Sequence, residues 1–257
     1  MTPLKKRKKA DTLIGNMLPI SKLFPSIITL LALCFGLTSI RYGFDQKWEH
    51  SVTLIIIAAL LDGMDGRIAR YLNATSDFGA QLDSLADFIN FGVAPAIILY
   101  LWTLSSIPIK GVGWGFVLIF SVCCAIRLAR FNVSARDSAN KLKDIFFDGV
   151  NAPIGAVLAI NPIVLSFEFD INFIKNPWFI GIYVVLMAFA MASRIPTFSI
   201  KKLSIPRKNA ALVLAFFGLF IAALVIKPWI VIPTLSLLYI LSIPVSIAVY
   251  YKKVSQI

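Results

Sequence analysis

Four aspartates, Asp62, Asp65, Asp83 and Asp87, fall within the stretch "DGMDGRIARYLNATSDFGAQLDSLAD" (residues 62–87) of a chain that holds only 13 acidic residues in 257. Read as helix, Asp62, Asp65, Gly66 and Ala69 stand at i, i+3, i+4 and i+7 on one stripe. Gly79, Asp83, Ala86 and Asp87 stand at i, i+4, i+7 and i+8 on another. Each stripe sets carboxylates beside residues with almost no side chain. Two antiparallel helices joined by the turn "YLNATSD", with Ser76 or Asp77 as N-cap, would bring the two stripes face to face. Carboxylates so gathered repel one another unless a cation stands between them. Oxygen-only ligands suit hard divalent ions, Mg2+ or Mn2+ first, and the stretch has no histidine or cysteine to favour zinc. Gly66, Ala69 and Gly79 leave room for a ligand close to the backbone, and Arg70 extends the stripe toward a negative group. A packed bundle in which Arg67 and Arg70 merely satisfy the acids leaves Asp83 and Asp87 without a cation in their own helix.

The elements that must carry these residues are written in the composition. The chain is 58 % hydrophobic and 15 % charged, with a mean hydropathy of +0.82, against about a quarter charged in soluble domains. An aspartate at the centre of a membrane helix costs roughly 2.5–3.5 kcal/mol and marks a polar interior. Eight apolar runs approach the roughly 20 residues needed to cross a bilayer, at about 22–44, 50–71, 78–104, 112–133, 151–168, 177–194, 209–226 and 228–250. The expected fold is an all-α integral-membrane bundle of about eight transmembrane helices. Residues 1–20 form a basic N-terminal segment and residues 21–257 a single transmembrane domain.

Basic residues alternate along the chain. Lys5 to Lys9, Arg67 with Arg70, Arg127 to Lys143, Arg194 to Lys208, and Lys252 with Lys253 occupy every second connection. The positive-inside rule therefore puts both termini and the acidic stretch in the cytoplasm, across a cell membrane spanned several times. The net charge of +12 is carried by short juxtamembrane loops without a nucleic-acid-binding motif, so anionic lipids are the expected partners and nucleic acid is excluded. Residues 1–20 either lie along the membrane surface through Leu13, Ile14, Met17, Leu18 and Ile20, or serve only as a topology signal. No signal-peptide cleavage site follows "KKRKK". Cys34, Cys123 and Cys124 have no metal-ligand spacing and read as packing residues. His50, at the outer end of the second run, reads as an interfacial side chain.

A second set of candidates lies farther on. Arg127 and Arg130, three apart at the end of the fourth run, can grip one phosphate or carboxylate together, or anchor the span at the headgroups. Asn151 opens the fifth run beside Pro153, as a cap or a substrate contact.

The pattern Asp62-x-x-Asp65-Gly66-x-x-Ala69-Arg70, then Gly79-x-x-x-Asp83-x-x-x-Asp87 after eight residues, resembles the signature of the CDP-alcohol phosphatidyltransferases at every specified position. The segments "AIRLARFNV", "FFDGVNAPIGA" and "SRIPTFSIKK" are similar to those of the bacterial membrane-embedded phosphatidylserine synthases, so that the likeness covers most of residues 20–205. Two places depart from it: Ser26 stands where relatives often carry asparagine, and "GVNAPIGA" replaces a proline-rich stretch. The resemblance implies a homodimeric helical membrane enzyme with a two-metal site on the cytoplasmic side. It would transfer the phosphatidyl group of CDP-diacylglycerol to L-serine, releasing CMP. It further implies Asp62, Asp65, Asp83 and Asp87 as ligands of Mg2+ or Mn2+, and Asp87 as the base that takes the serine proton. Gly66, Ala69, Arg70 and Gly79 would bind the nucleotide, and Arg127, Arg130 and Asn151 the phosphate or acceptor. Glycerol 3-phosphate, inositol phosphate and choline are the competing acceptors, and a phosphorylated one would need a further cluster of cations. A divalent-cation transporter is the reading from another class; it leaves Gly66, Ala69, Arg70 and Gly79 without a purpose and lacks an evident internal repeat.

Overall fold

A computed structural model describes residues 20–72, 74, 76–136, 146–198 and 210–254. The basic segment before Ile20, and Lys141, Lys143, Lys201, Lys202, Arg207 and Lys208, lie outside the described residues. Eight helices are described: α1 Ile20–Phe44, α2 Trp48–Tyr71, α3 Asp77–Trp102, α4 Val112–Arg136, α5 Ala152–Glu168, α6 Pro177–Ala192, α7 Ala210–Ile226 and α8 Pro228–Val254. Four stretches are long and apolar enough to cross a membrane by length and composition: Leu23–Phe44, Asp77–Trp102, Val112–Val133 and Pro228–Tyr250. The apolar parts of α5, α6 and α7 are shorter. Helix α2 has 24 residues but carries Asp62, Asp65, Arg67 and Arg70 in its second half.

Hydrogen bonds and close approaches give the direction of each helix. Ser51 Oγ donates to Ser39 O at 2.7 Å and Thr29 Oγ1 to Asp65 Oδ2 at 2.6 Å, which makes α1 and α2 an antiparallel hairpin. Its turn passes through Gln46 at φ 56°. Gly36 lies against Asn90 and Gly43 against Ile98 and Leu101, so α3 runs parallel to α1. Ser84 with Asn132, and Ser121 with Gly92, reverse α4 against α3. Gly155 against Met191, with the Tyr183 hydroxyl on Leu158 O at 2.6 Å, sets α5 antiparallel to α6. With the helices alternating in this way, Ser26, Asp65, Asp83, Phe131, Asn151 and Ser193 all gather at one end of the bundle.

The core lies where α3, α4, α5 and α6 meet, around Phe91, Phe120, Ile98, Leu158, Ile163 and Ile180. Helix α5 is buried from Leu158 through Val164, as the all-round apolarity of its sequence requires. Helix α7 packs chiefly on α8 and leaves Leu212, Phe216, Leu219 and Val225 exposed.

Two features were absent from the sequence reading. Helix α3 contains a wide turn, Phe88–Val93, in which the Ala94 N–H reaches back five residues to Ile89 O. Pro95 accounts for it: its ring would strike the carbonyl four residues before it and has no N–H to offer, and the wider turn relieves both faults. Ser121 Oγ of α4 donates to Gly92 O, inside the wide turn, at 3.0 Å. The second feature is a short antiparallel ribbon, β1 Phe146–Asp148 with β2 Pro196–Phe198, paired Phe147 to Thr197. It ties the connection after α4 to the connection after α6, and Gly149, at φ 77°, closes it with an N–H bond to Ile195 O at 2.9 Å.

Candidate active site

The acidic half of α2 and the first turns of α3 come together through a short reversal. At the end of α2 the Leu72 N–H bonds Ile68 O and the Ala74 N–H bonds Ala69 O. Of the two candidate caps, Ser76 is the one that closes α3, accepting from the Gly79 N–H at 3.0 Å. Asp77 is instead the exposed first residue of the helix, where a negative charge favours the free amides.

Three of the four aspartates converge. Asp62, Asp83 and Asp87 each offer a carboxylate oxygen, and these atoms lie within 4.8 Å of one another. All three side chains are half-buried, so their mutual repulsion is poorly screened by water. Oxygen donors in this number and spacing fit a hard divalent cation. No histidine or cysteine is a member of the set: His50 stacks on the Tyr42 ring with centroids 5.3 Å apart, by the first helical hairpin's turn, and Cys124, though near Asp87, packs against Gly92. Asp65 is not part of this triad. It is 4 % exposed, and its Oδ2 accepts the Thr29 hydroxyl.

A cavity of about 480 Å3 opens beside these acids. Helix α2 contributes Asp65, Gly66, Ala69 and Arg70 to its wall, and α3 contributes Gly79, Ala80 and Asp83. Every residue that the sequence assigned to the nucleotide thus lines one space. A methyl at Gly66 would meet no atom within 4 Å, because that position faces the opening. Arg70 Nε donates to Gly66 O at 3.1 Å, which holds the guanidinium along the wall. The opposite wall, Pro25, Ser26 and Thr29 of α1 with Phe131 of α4, was not assigned to the site from sequence. Its one signal was a hydroxyl pair, Ser26 and Thr29, in an otherwise apolar run.

The cation missing from the acidic helices comes from α4. Arg127 is 9 % exposed, its Nη2 donates to Asn151 Oδ1 at 2.7 Å, and it lies near enough to Asp87 and Asp62 to interact with both charges. Asn151 caps α5 as well, accepting from the Ala152 N–H at 3.1 Å. Arg130 does not join Arg127 on a shared partner: its Nη1 donates to Ala192 O at 2.8 Å and so fastens α4 to the end of α6. Among the described residues, Arg67 and Arg70 form no ion pair with the four aspartates. The reading of these acids as self-satisfied by local arginines therefore fails.

An apolar helical bundle with a carboxylate triad beside a largely apolar cavity that Asp65, Arg70 and Asp83 also line has the ligand chemistry for a hard divalent cation. The chain belongs to the CDP-alcohol phosphatidyltransferase family, whose description matches residues 22–194, and residues 210–244 match the related CDP-alcohol phosphatidyltransferase 2. It is 41 % identical over 227 residues to the CDP-diacylglycerol–serine O-phosphatidyltransferase of Mycobacterium leprae, covering 88 % of this chain and 75 % of that one. The enzyme of the same name from Mycobacterium tuberculosis (strain H37Rv) is 38 % identical over 227 residues, 88 % of this chain and 78 % of its own. That from Helicobacter pylori (strain J99) is 34 % identical over 200 residues, 77 % of this chain and 81 % of its own.

Proposed function

We propose that this chain transfers the phosphatidyl group of CDP-diacylglycerol to L-serine, yielding phosphatidylserine and CMP in phospholipid biosynthesis. The observation that carries the reading is the convergence of Asp62, Asp83 and Asp87 beside a cavity lined by Gly66, Ala69, Arg70 and Gly79, in a chain 34–41 % identical to relatives named for that reaction.

Asp62, Asp83 and Asp87, with Asp65 beside them, would hold Mg2+ or Mn2+ in a two-ion arrangement. Such ions, when bound, neutralise the diphosphate oxygens and the charge that develops on the leaving CMP. The chain's own residues do the rest. Gly66, Ala69 and Gly79 admit the nucleotide close to the backbone, and Arg70 pairs with a phosphate oxygen. Asp87 accepts the proton of the serine hydroxyl as that oxygen bonds to the phosphatidyl phosphorus; the bond from phosphorus to the CMP oxygen breaks, and CMP takes the electron pair. Arg127 keeps one buried N–H, Nε, without a partner among the described residues. With Asn151 it offers the acceptor's carboxylate a fixed donor. Arg130 holds that wall in place through the end of α6.

The basic residues at the site's end of the bundle, Arg67, Arg70, Arg127, Arg130 and Arg194, favour a cytoplasmic site in a cell membrane that the eight helices of a single domain (21–257) cross, with both termini cytoplasmic. Residues 1–20 and the basic connections then meet anionic lipids. A homodimer accords with the family. Purified protein given CDP-diacylglycerol, Mn2+ or Mg2+, and serine, glycerol 3-phosphate, inositol phosphate or choline in turn should release CMP with serine. Release with another acceptor and none with serine would overturn the assignment.

A further inference from the structure

We infer that Thr29, on α1, is a positioning residue for Asp65: its hydroxyl fixes the direction in which that carboxylate meets the cavity. A threonine inside a helix ordinarily returns its hydroxyl to the carbonyl four residues back. That partner is present, Pro25 O at 3.1 Å, yet Asp65 Oδ2 lies nearer, at 2.6 Å. A hydroxyl has one proton to give. The nearer partner is also the one that bears charge when ionised, and a carboxylate accepts more strongly than a neutral carbonyl, so the proton belongs to Asp65 and the backbone contact is the lesser one. Thr29 is 5 % exposed and Asp65 4 %, so water does not compete for either partner.

Asp65 needs such a tether. Asp62 and Asp83 are close enough to push on it with like charge, and among the described residues no cation is ion-paired with it. Without the Thr29 bond, the side chain is free to swing to whichever rotamer best escapes its neighbours. With the bond, Asp65 stays on the wall of the cavity that Gly66 and Asp83 also line. The tether reaches across 36 positions of sequence. It makes α1, which carries none of the acidic signature, part of the machinery that holds a cation.

This inference rests on the reading of Asp65 as a group that faces a divalent ion, and its test is kept separate from turnover. Mn2+ alone is titrated into the purified full-length protein and the free ion is followed by electron paramagnetic resonance. Thr29→Val keeps the shape and removes the donor, and should weaken Mn2+ binding by about tenfold or more, the usual consequence of losing a group that orients a metal ligand. Thr29→Ser keeps the donor and should bind as the unaltered protein does. In an Asp65→Ala background, Thr29→Val should add nothing further. Three results overturn the inference: wild-type Mn2+ affinity in Thr29→Val, an equal loss in Thr29→Ser and Thr29→Val, or an undiminished effect of Thr29→Val once Asp65 is gone. Should Thr29→Val fail to fold, Thr29→Ala, which also lacks the donor, is read in its place: weakened Mn2+ binding there with retention in Thr29→Ser upholds the inference, and unaltered binding in Thr29→Ala overturns it. Failure of serine-dependent CMP release in the unaltered protein would strike the proposed reaction and leave this coupling standing.

Discussion

Replacing Gly66 by alanine should change fold and ligand binding in opposite directions. The residue lies inside α2, and a side chain there meets no atom within 4 Å because it enters the cavity. Alanine in a helix interior is favoured over glycine by about 0.8–1.0 kcal/mol. For a chain of this size each kcal/mol moves the melting temperature by about 2–4 °C, so the variant should melt a few degrees higher without ligand. The same methyl occupies space in which we propose that the nucleotide sits. Overpacking by one methyl costs about 1–3 kcal/mol, or about 5- to 150-fold in Kd. Gly63 supplies the control: it too faces open space, three residues earlier on the same helix, but is not on the cavity wall. Gly63→Ala should gain the helix stability and bind normally. Thermal unfolding in detergent and calorimetric titration with CDP in the presence of Mn2+ measure the two quantities. Undiminished CDP affinity in Gly66→Ala, or an equal loss in Gly63→Ala, would refute the placement of the nucleotide.

Asp87→Asn preserves volume and removes the proton acceptor; serine-dependent CMP release should fall by about 10²- to 10⁴-fold, with CDP still bound in a calorimetric titration. A variant that turns over at the normal rate removes Asp87 from the chemistry. Gly149→Ala must adopt φ 77° with a methyl 2.6 Å from Ser193 O and 2.9 Å from Met191 O. A left-handed non-glycine residue costs about 1–2 kcal/mol before the clash is counted, so the melting temperature should drop, whereas Gly115→Ala, which faces open space, should not lower it.

The helices were legible because a bilayer leaves the chain few choices. The runs read at 22–44, 112–133 and 228–250 became Ile20–Phe44, Val112–Arg136 and Pro228–Val254, each with a stretch long and apolar enough to cross a membrane, since an apolar stretch that cannot hydrogen-bond to lipid must satisfy its own backbone. The acidic stripes were legible for a local reason: helical spacing alone puts Asp83 four residues from both Gly79 and Asp87. What stayed hidden were the contacts that other helices make with these two stripes. Nothing near Asp65 pointed to Thr29, and nothing near Asp87 to Arg127. Arg127 and Arg130, three apart, looked like a pair until one turned to Asn151 and the other to the carbonyl end of α6. The ribbon of Phe146–Asp148 and Pro196–Phe198 is too short for alternation to register. The last helices offered little to motif reading, yet α8 packs on α5 and on β2, and its Tyr239 lies near Arg127.

The wide turn at Phe88–Val93 has a consequence for the geometry of the acids themselves. One residue inserted into an α-helix rotates everything beyond it by about 100°, so the wide turn sets the bearing of Asp83 and Asp87, on the head of α3, against the body that runs from Ala94 to Trp102. Drawn as an unbroken helix on the same body, α3 would aim those carboxylates a little over a quarter-turn away from where they stand, as a compass card reads wrongly when its housing is misaligned.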